Sequence, residues 1–242
     1  MAATAVIDPH FCGPPDSGNG GYTCGLLARE IDGPASVSLR SPPPLGVELA
    51  VVAGGQGARM LHGETLVAEA EPAGPNPAGE PPELVPVERA RAASEGSFFL
   101  SDWHPFPTCF VCGPRRGPSD GLQIYAGPLD GVFAAPWVPF DGLAGPDGTV
   151  PPEIVWAALD CPTSAPGMNT PGPDGTVLPI VLARLTAELR APVRAGEEHV
   201  ITSWEIGRDG RKREAGAALH DAHGRLLASA RALWIELRPP TG

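Results

Sequence analysis

The sequence predicts an α+β fold in which one helix-then-strands unit occurs twice, and three observations support that prediction. Two segments have helical patterns that begin after a Gly- or Pro-rich loop. A strongly strand-like region with a proline break follows each helix. The closing segments, "LHGETLVAEA" and "HGRLLASARA", are similar enough to suggest a common origin. The alternative is that helix and strands recur by chance, as they can in any α+β protein.

The first unit comprises residues 1–72, and the leading hairpin found in the second unit is expected to be short or missing here. Its helix is predicted in "GGYTCGLLAREID", where Tyr22, Leu26 and Leu27 have roughly helical spacing. Two strands separated by prolines are expected in "ASVSLRSPPPLGVELAVV", and a strand, a turn and a strand in "ARMLHGETLVAEAEP". Residues 73–108 form a Pro-rich linker with a short helical or irregular passage.

The second unit comprises residues 109–242 and opens with a predicted hairpin, "GLQIYAGPLDGVFAAPWVPF". Its helix is expected over Pro151 to Pro162, with proline in the first turn, Glu153 near the positive end, and a stop before Pro162. Two strands separated by a proline are expected in "RLTAELRAPVRAGEEHVITSWEI". "GRDG" and "DAHG" are typical of hairpin turns, and the alternation from Leu226 to Leu237 predicts the last strand.

Composition excludes several classes of function. A net charge of −11 and a pI near 4.9 disfavour nucleic acid and acidic membrane surfaces as partners. The chain has no run of 18 apolar residues that would span a membrane, and its N-terminus does not read as a signal peptide. Five cysteines are a sparse and odd set, unlike a secreted disulfide framework. We expect a cytoplasmic protein.

A helix wrapped by a meandering antiparallel sheet, with a glycine pair at the helix start, resembles the hotdog fold. Two copies resemble a tandem, or double, hotdog protein of the acyl-CoA thioesterase superfamily. The closing pattern from His199 to Trp234 is similar to PaaI-like thioesterases, and "CFVCGPRRGPSDGLQI" is similar to a segment that precedes the first strand in some of them. The resemblance implies a thioesterase-like enzyme that hydrolyses an acyl thioester of CoA or a carrier protein. It also implies a possible homodimer of double-hotdog chains.

The PaaI-like motif is His-Gly-Gly with an acidic residue nine positions after the His, and each unit of this chain keeps a different part. Asn19-Gly20-Gly21 matches the first part, but Ala28 stands at the acidic position. Asp160 matches the acid, but Pro151 and Pro152 stand where the His-Gly pair would be, and proline has no N–H to donate. The resemblance therefore implies one composite site from both units.

In that composite site Asp160 is the general base or nucleophile, and the Gly20 and Gly21 amides hold the oxyanion. One alternative is that Asp160 is a polar residue near a helix end and the glycines form a plain loop. Another is that the protein binds acyl thioesters without turning them over. The losses are complementary, because each unit keeps the part of the motif that the other lacks, and this favours the composite site.

Several residues near the motif are candidate substrate contacts. Asn19 belongs to the motif itself, and Trp156 lies on the same helical face as Asp160, where it lines either an acyl channel or the core. Other polar residues flank the proposed site and could position water or substrate: Asp16, Ser17, Thr163, Ser164 and Asn169.

Cys109 and Cys112 form a Cys-x-x-Cys pair of the kind that suits zinc. A structural zinc site requires four ligands, and only one such pair exists; His104, His10 and Cys12 are possible completions. The alternative is a tight turn with buried or free thiols. We expect no catalytic metal here and no cofactor.

Overall fold

The computed structural model describes residues 3–55, 57–168 and 179–237, and these residues form one large antiparallel sheet with three α-helices. The helices are α1 (Gly20–Ala28), α2 (Val87–Glu95) and α3 (Pro152–Met168). The strands of the first half of the chain are β1 (Ala3–Val6), β2 (Ala35–Leu39), β3 (Glu48–Gly54), β4 (Gly57–His62) and β5 (Thr65–Pro72). The later strands are β6 (Gly127–Leu129), β7 (Val132–Trp137), β8 (Ile180–Leu189), β9 (His199–Asp209), β10 (Lys212–Asp221) and β11 (Leu226–Glu236).

The order of the strands across the sheet repeats itself. It runs β1-β3-β4-β5-β2-β8-β11-β10-β9-β7-β6. Strands β1 to β5 therefore correspond one by one to β7 to β11, in mirrored order about the β2–β8 junction. At that junction β2 and β8 pair antiparallel, with Ala35 opposite Ala187 and Ser38 opposite Arg184. In place of the leading hairpin, expected to be short or missing in the first unit, the described residues have the four-residue β1, which pairs with β3.

Helices α1 and α3 pack against each other and against the sheet in the main core. Glycines in α1 permit this close approach. A Cβ atom at Gly21 would lie 2.5 Å from the Cβ of Asp160, and one at Gly25 would lie 2.5 Å from the Cα of Glu153. The spacing of four residues places both glycines on one face of α1. The glycine-rich start of α1 therefore packs directly against the backbone of α3.

The prediction that α3 stops before Pro162 is wrong, because α3 continues through Pro162 and Pro166 to Met168. A proline inside a helix normally leaves the carbonyl four residues earlier without its donor. Pro166 cannot donate to the carbonyl of Pro162, and the hydroxyl of Ser203 on β9 donates to that oxygen at 2.6 Å instead. A donor from the sheet thus replaces one of the hydrogen bonds that the helix lacks.

The segment 73–108 contains an ordered helix, α2, which packs on β6 and β7. Ser94 and Ser97 donate hydrogen bonds to the carbonyls of Tyr125 and Ala126, at 2.7 and 2.9 Å. The segment therefore covers one end of the sheet rather than only connecting the two units. Among the residues described, no helix has the length and apolar character needed to cross a membrane.

Candidate active site

Asp160 lies in the middle of α3 with its side chain buried against the first turn of α1. Its Oδ2 accepts hydrogen bonds from the backbone N–H of Gly21 at 2.8 Å and from Asn19 Nδ2 at 2.9 Å. Its Oδ1 is also buried and has no hydrogen-bond partner among the described residues. One carboxylate oxygen is thus fixed by α1, and the other is buried without a hydrogen-bond partner among the described residues.

Asn19 connects the two helices. As the N-cap of α1 it accepts a hydrogen bond from the N–H of Tyr22 at 2.9 Å through its side-chain oxygen. Its amide nitrogen then faces Asp160 and lies 3.9 Å from the sulfur of Cys109. A side chain with both an acceptor and a donor is needed for this double role, and asparagine provides both.

The backbone N–H of Gly20 differs from that of Gly21. As the first residue of α1 it has no helical acceptor, and none of the described groups accepts a hydrogen bond from it. Gly20 also lines the cavity that contains Asp160. Because the N-terminus of a helix carries partial positive charge, this N–H is suited to a developing negative charge on a substrate oxygen.

The cavity has a volume of about 570 Å³ and is lined by residues from both units. The loop before α1, strand β8, helix α3 and the segment from Phe99 to Cys112 all contribute to its walls. Most of the lining side chains are apolar, including Leu39, Phe106, Met168, Leu182 and Trp234. Such a cavity suits a hydrophobic chain attached to a polar reacting group.

The predicted site residues are not all brought to this cavity. Asn19, Gly20, Asp160 and Ser164 line it. Gly21 does not line it but donates directly to Asp160. Ser164 donates to the carbonyl of Cys161 at 2.7 Å, so its oxygen can still accept a hydrogen bond.

The structure places Trp156 in the core, and its side chain is not part of the cavity wall, unlike the acyl-channel position considered from the sequence. Thr163 likewise lies behind the wall. Its hydroxyl donates to the carbonyl of Asp160 at 2.6 Å and accepts from the indole N–H of Trp234 at 2.9 Å. Thr163 therefore contacts Trp234, a lining residue, and does not itself line the cavity. Asp16 is not in the cavity wall, Ser17 is, and Asn169 lies outside the described residues.

Burial raises the pKa of Asp160 to about 7, because the charged form loses its hydration. The hydrogen bond from the Gly21 N–H opposes this shift, a nearby charge on Cys109 adds to it, and the hydrogen bond from Asn19 opposes it. A carboxyl group in such surroundings is a stronger base than an exposed one.

Sequence reasoning missed the third member of a cysteine cluster beside Asp160. The sulfur atoms of Cys109, Cys112 and Cys161 all lie within 4.8 Å of one another and are buried. In the sequence Cys161 is marked by its position directly after the candidate acid Asp160, and no local pattern links it to the Cys-x-x-Cys pair. Two of the completions considered from the sequence lie elsewhere: His10 is 3.5 Å from Asp120, and Cys12 donates to the carbonyl of Thr108. The third, His104, lines the same cavity as the three cysteines.

The pKa values of the three thiols are shifted in different directions. S–H groups of Cys112 and Cys161 hydrogen bond to the Cys109 sulfur and hold its pKa well below the usual range. The pKa of Cys112 is raised by burial, and that of Cys161 by its hydrogen bonds to the other two sulfurs. The cluster therefore favours a thiolate at Cys109.

Comparison with known proteins supports the fold and leaves the activity open. No model of a known protein family matches the sequence, and no curated protein matches it significantly. The tesB protein MAP1729c of Mycobacterium avium subs paratuberculosis superposes with a TM-score of 0.62 at 11% identity, covering 97% of this chain and 92% of that one. A protein of Novosphingobium aromaticivorans, provisionally described as a thioesterase, gives 0.59 at 14% identity, with 97% and 95% covered.

A conserved protein of unknown function with a hotdog fold from Alicyclobacillus acidocaldarius gives a TM-score of 0.57 at 12% identity. That match covers 98% of this chain and 93% of the other. At these identities the likeness concerns the fold and not the chemistry. The hotdog fold expected from the sequence is confirmed: this chain has that fold over nearly its whole length.

Proposed function

We propose that the chain is a tandem hotdog thioesterase-like enzyme that hydrolyses an acyl thioester of CoA or a carrier protein at one composite site. The observation that supports this most is the position of Asp160, an acid on α3 that is held by the first turn of α1, lines an apolar cavity and has one oxygen without a hydrogen-bond partner among the described residues. The protein would act on a small molecule or carrier in the cytoplasm, with no nucleic-acid or membrane partner.

The tandem arrangement is supported by the matching strand orders on the two sides of the β2–β8 junction. Residues 1–72 and 109–242 would be the two hotdog halves, each with an antiparallel sheet around one helix. Each half lacks what the other keeps, since Ala28 occupies the acidic position of the first and Pro151 precedes the helix of the second. One reacting centre per chain follows, and assembly into a homodimer of such chains remains an expectation.

In the proposed reaction Asp160 Oδ1 removes a proton from a water molecule, whose oxygen adds to the thioester carbonyl carbon. The negative charge that develops on the carbonyl oxygen is stabilised by the Gly20 N–H and the partial positive charge of the α1 N-terminus. The carbon–sulfur bond then breaks, and the leaving thiolate takes the proton from Asp160. Direct attack by Asp160 as a nucleophile is the other route open to the same oxygen.

A second candidate function, binding of an acyl thioester without turnover, is favoured by one observation. The Gly21 N–H is occupied by Asp160. Only the Gly20 N–H of the glycine pair is therefore available to a substrate oxygen in this conformation.

Incubation of the purified protein with a panel of acyl-CoAs of increasing chain length separates the two candidates. We expect free CoA and the carboxylic acid to appear in equal amounts, with a preferred chain length set by the cavity. Calorimetric binding of an acyl-CoA that is never hydrolysed would instead support the second candidate. Neither binding nor hydrolysis of any acyl-CoA or acyl-carrier thioester would contradict both.

A further inference from the structure

Three buried cysteines meet where the segment before β6 contacts α3, and the reaction proposed above uses none of them. The sulfur atoms of Cys109 and Cys161 are 3.7 Å apart, and that of Cys112 lies within 4.8 Å of both. Two sulfurs that each lie about 2.3 Å from a tetrahedral zinc ion are separated by about 3.8 Å. The spacing of the cluster therefore matches what a zinc ion requires.

The backbone from Cys109 to Gly113, which contains the Cys-x-x-Cys pair, forms a tight turn. The N–H of Cys109 donates to the carbonyl of Phe106, and the N–H of Gly113 donates to the carbonyl of Cys109, both at 2.9 Å. A Cβ atom at Gly113 would lie 2.5 Å from that carbonyl oxygen, so the turn requires glycine there. The turn brings the Cys112 sulfur to within 4.8 Å of the Cys109 sulfur.

We propose that Cys109, Cys112 and Cys161 bind one zinc ion through three thiolates, with the fourth coordination position facing the cavity. Sulfur ligands select zinc, copper(I) or iron–sulfur clusters among the common metals. Protein-bound iron–sulfur clusters are usually held by four cysteines. Because this cluster has three cysteines, it favours a single metal ion. On binding, the thiols release their protons to solvent, so that the ion and the three thiolates carry a net charge of about −1.

The surroundings of the cluster contain groups that suit such a centre. The Asn19 amide nitrogen is 3.9 Å from the Cys109 sulfur and donates a hydrogen bond to it. His104 lines the same cavity, its Nδ1 accepts from the N–H of Phe106, and its buried Nε2 has no partner within the described ranges. A polar ligand at the fourth coordination position would therefore lie in the cavity, close to His104.

A zinc ion here would fasten the segment before β6 to α3 at the residue that follows Asp160. The sequence showed only one cysteine pair and gave no reason to add Cys161, which is 52 positions from Cys109. A disulfide is the competing use of these thiols, but it would join two sulfurs at about 2.05 Å and leave the third unpaired.

The test is the metal content of the full-length protein after purification without a metal-affinity tag and incubation with zinc. We expect one zinc ion per chain by mass spectrometry, and X-ray absorption should show three sulfur neighbours at about 2.3 Å. Loading with cobalt should give a thiolate-to-metal charge-transfer band. These readings do not depend on whether acyl thioesters are substrates.

The variants Cys109→Ser, Cys112→Ser and Cys161→Ser should each lose the bound zinc. The matched control is Cys12→Ser, because Cys12 is also buried but donates to the Thr108 carbonyl outside the cluster. If the cluster variants fail to fold, the sulfur count of the wild-type protein still decides. Wild-type protein that takes up no zinc, zinc that Cys161→Ser retains, or a disulfide between Cys109 and Cys161 in protein purified under reducing conditions would overturn the proposal.

Discussion

Asp160 and Asn19 show how two polar side chains can be buried beside an apolar cavity. Burying a carboxylate is costly unless hydrogen bonds compensate for its lost hydration. The Gly21 N–H and the Asn19 amide supply two of these bonds to the same oxygen. Asn19 in turn is held in place because its own oxygen caps α1. A change at Asn19 should therefore affect both the helix and the acid, and two substitutions can separate these effects.

Replacing Asn19 by serine should lower activity more than stability. Serine caps helices about as well as asparagine, whereas alanine loses about 0.5–2 kcal/mol. Both variants lose the amide donor to Asp160, because alanine has no donor and the serine hydroxyl is one bond shorter. The hydrogen bond from Asn19 lowers the pKa of Asp160, so its loss raises that pKa and leaves less of the base form at neutral pH. We expect kcat to fall by a similar factor in Asn19→Ser and Asn19→Ala, with the larger drop in Tm for alanine. Chemical denaturation and acyl-CoA hydrolysis measure the two effects.

If Asn19→Ser retained full kcat while Asn19→Ala lost both stability and activity, Asn19 would act through the helix cap alone. The assignment of Asn19 as a positioning residue for Asp160 would then be wrong.

At the residue scale, the candidate site residues could be proposed from the sequence because they belong to short local motifs. Gly20, Gly21 and Asp160 each match a position of a short pattern. The direct contact between Gly21 and Asp160 could not be found in this way. It depends on how closely two helices approach, which is decided by the missing Cβ of Gly21 and Gly25 together with the facing surface of α3.

Helix α3 shows why a local rule failed at the scale of an element. Proline predicts a helix end because it removes a donor and crowds the preceding turn. The hydroxyl groups of Thr163, Ser164 and Ser203 donate to successive α3 carbonyls, those of Asp160, Cys161 and Pro162. Ser203 lies 41 positions away on β9, so no window of sequence around Pro162 contains the residue that helps the helix continue.

Ser203→Ala should therefore destabilise the protein, because the buried carbonyl of Pro162 loses its donor. An unsatisfied buried polar group costs about 1–3 kcal/mol. The matched control is Ser229→Ala on β11, since Ser229 is equally buried and its hydroxyl has no hydrogen-bond partner among the described residues. We expect the control to be neutral or stabilising. Urea denaturation of both variants gives the comparison, and equal losses of stability would contradict the role given to Ser203.

At the scale of the whole molecule, the sequence repeat was a better guide to the fold than the predicted boundaries of individual elements. The similarity of the two closing hairpins and the repeated order of helix and strands led to the fold. Whether the two sheets join edge to edge could not be decided, because the pairing of β2 with β8 depends on strands that are distant in sequence. The cysteine cluster was missed for the same reason, since tertiary structure alone brings Cys161 to the Cys-x-x-Cys turn.

The proposed composite site is a property of the whole molecule, because its acid and its amide donor come from segments of the chain that are 140 residues apart in sequence. Asp160 lies on α3, and Gly20 begins α1. A chain with one reacting centre, built from two incomplete copies, should lose its activity when that single acid is neutralised. No second carboxylate stands at the matching position of the first copy, where the residue is Ala28.

The most direct test is the steady-state hydrolysis of the preferred acyl-CoA by Asp160→Asn, with circular dichroism to show that the fold is kept. Asparagine retains an oxygen for the Gly21 N–H but cannot accept the proton of water, and a positioned base contributes about 10²–10⁴ in rate. We predict a loss in kcat/KM of at least about 100-fold, with no loss for Glu30→Gln, which alters an exposed carboxylate near the end of α1. Folded Asp160→Asn protein with wild-type kcat/KM would contradict the composite site.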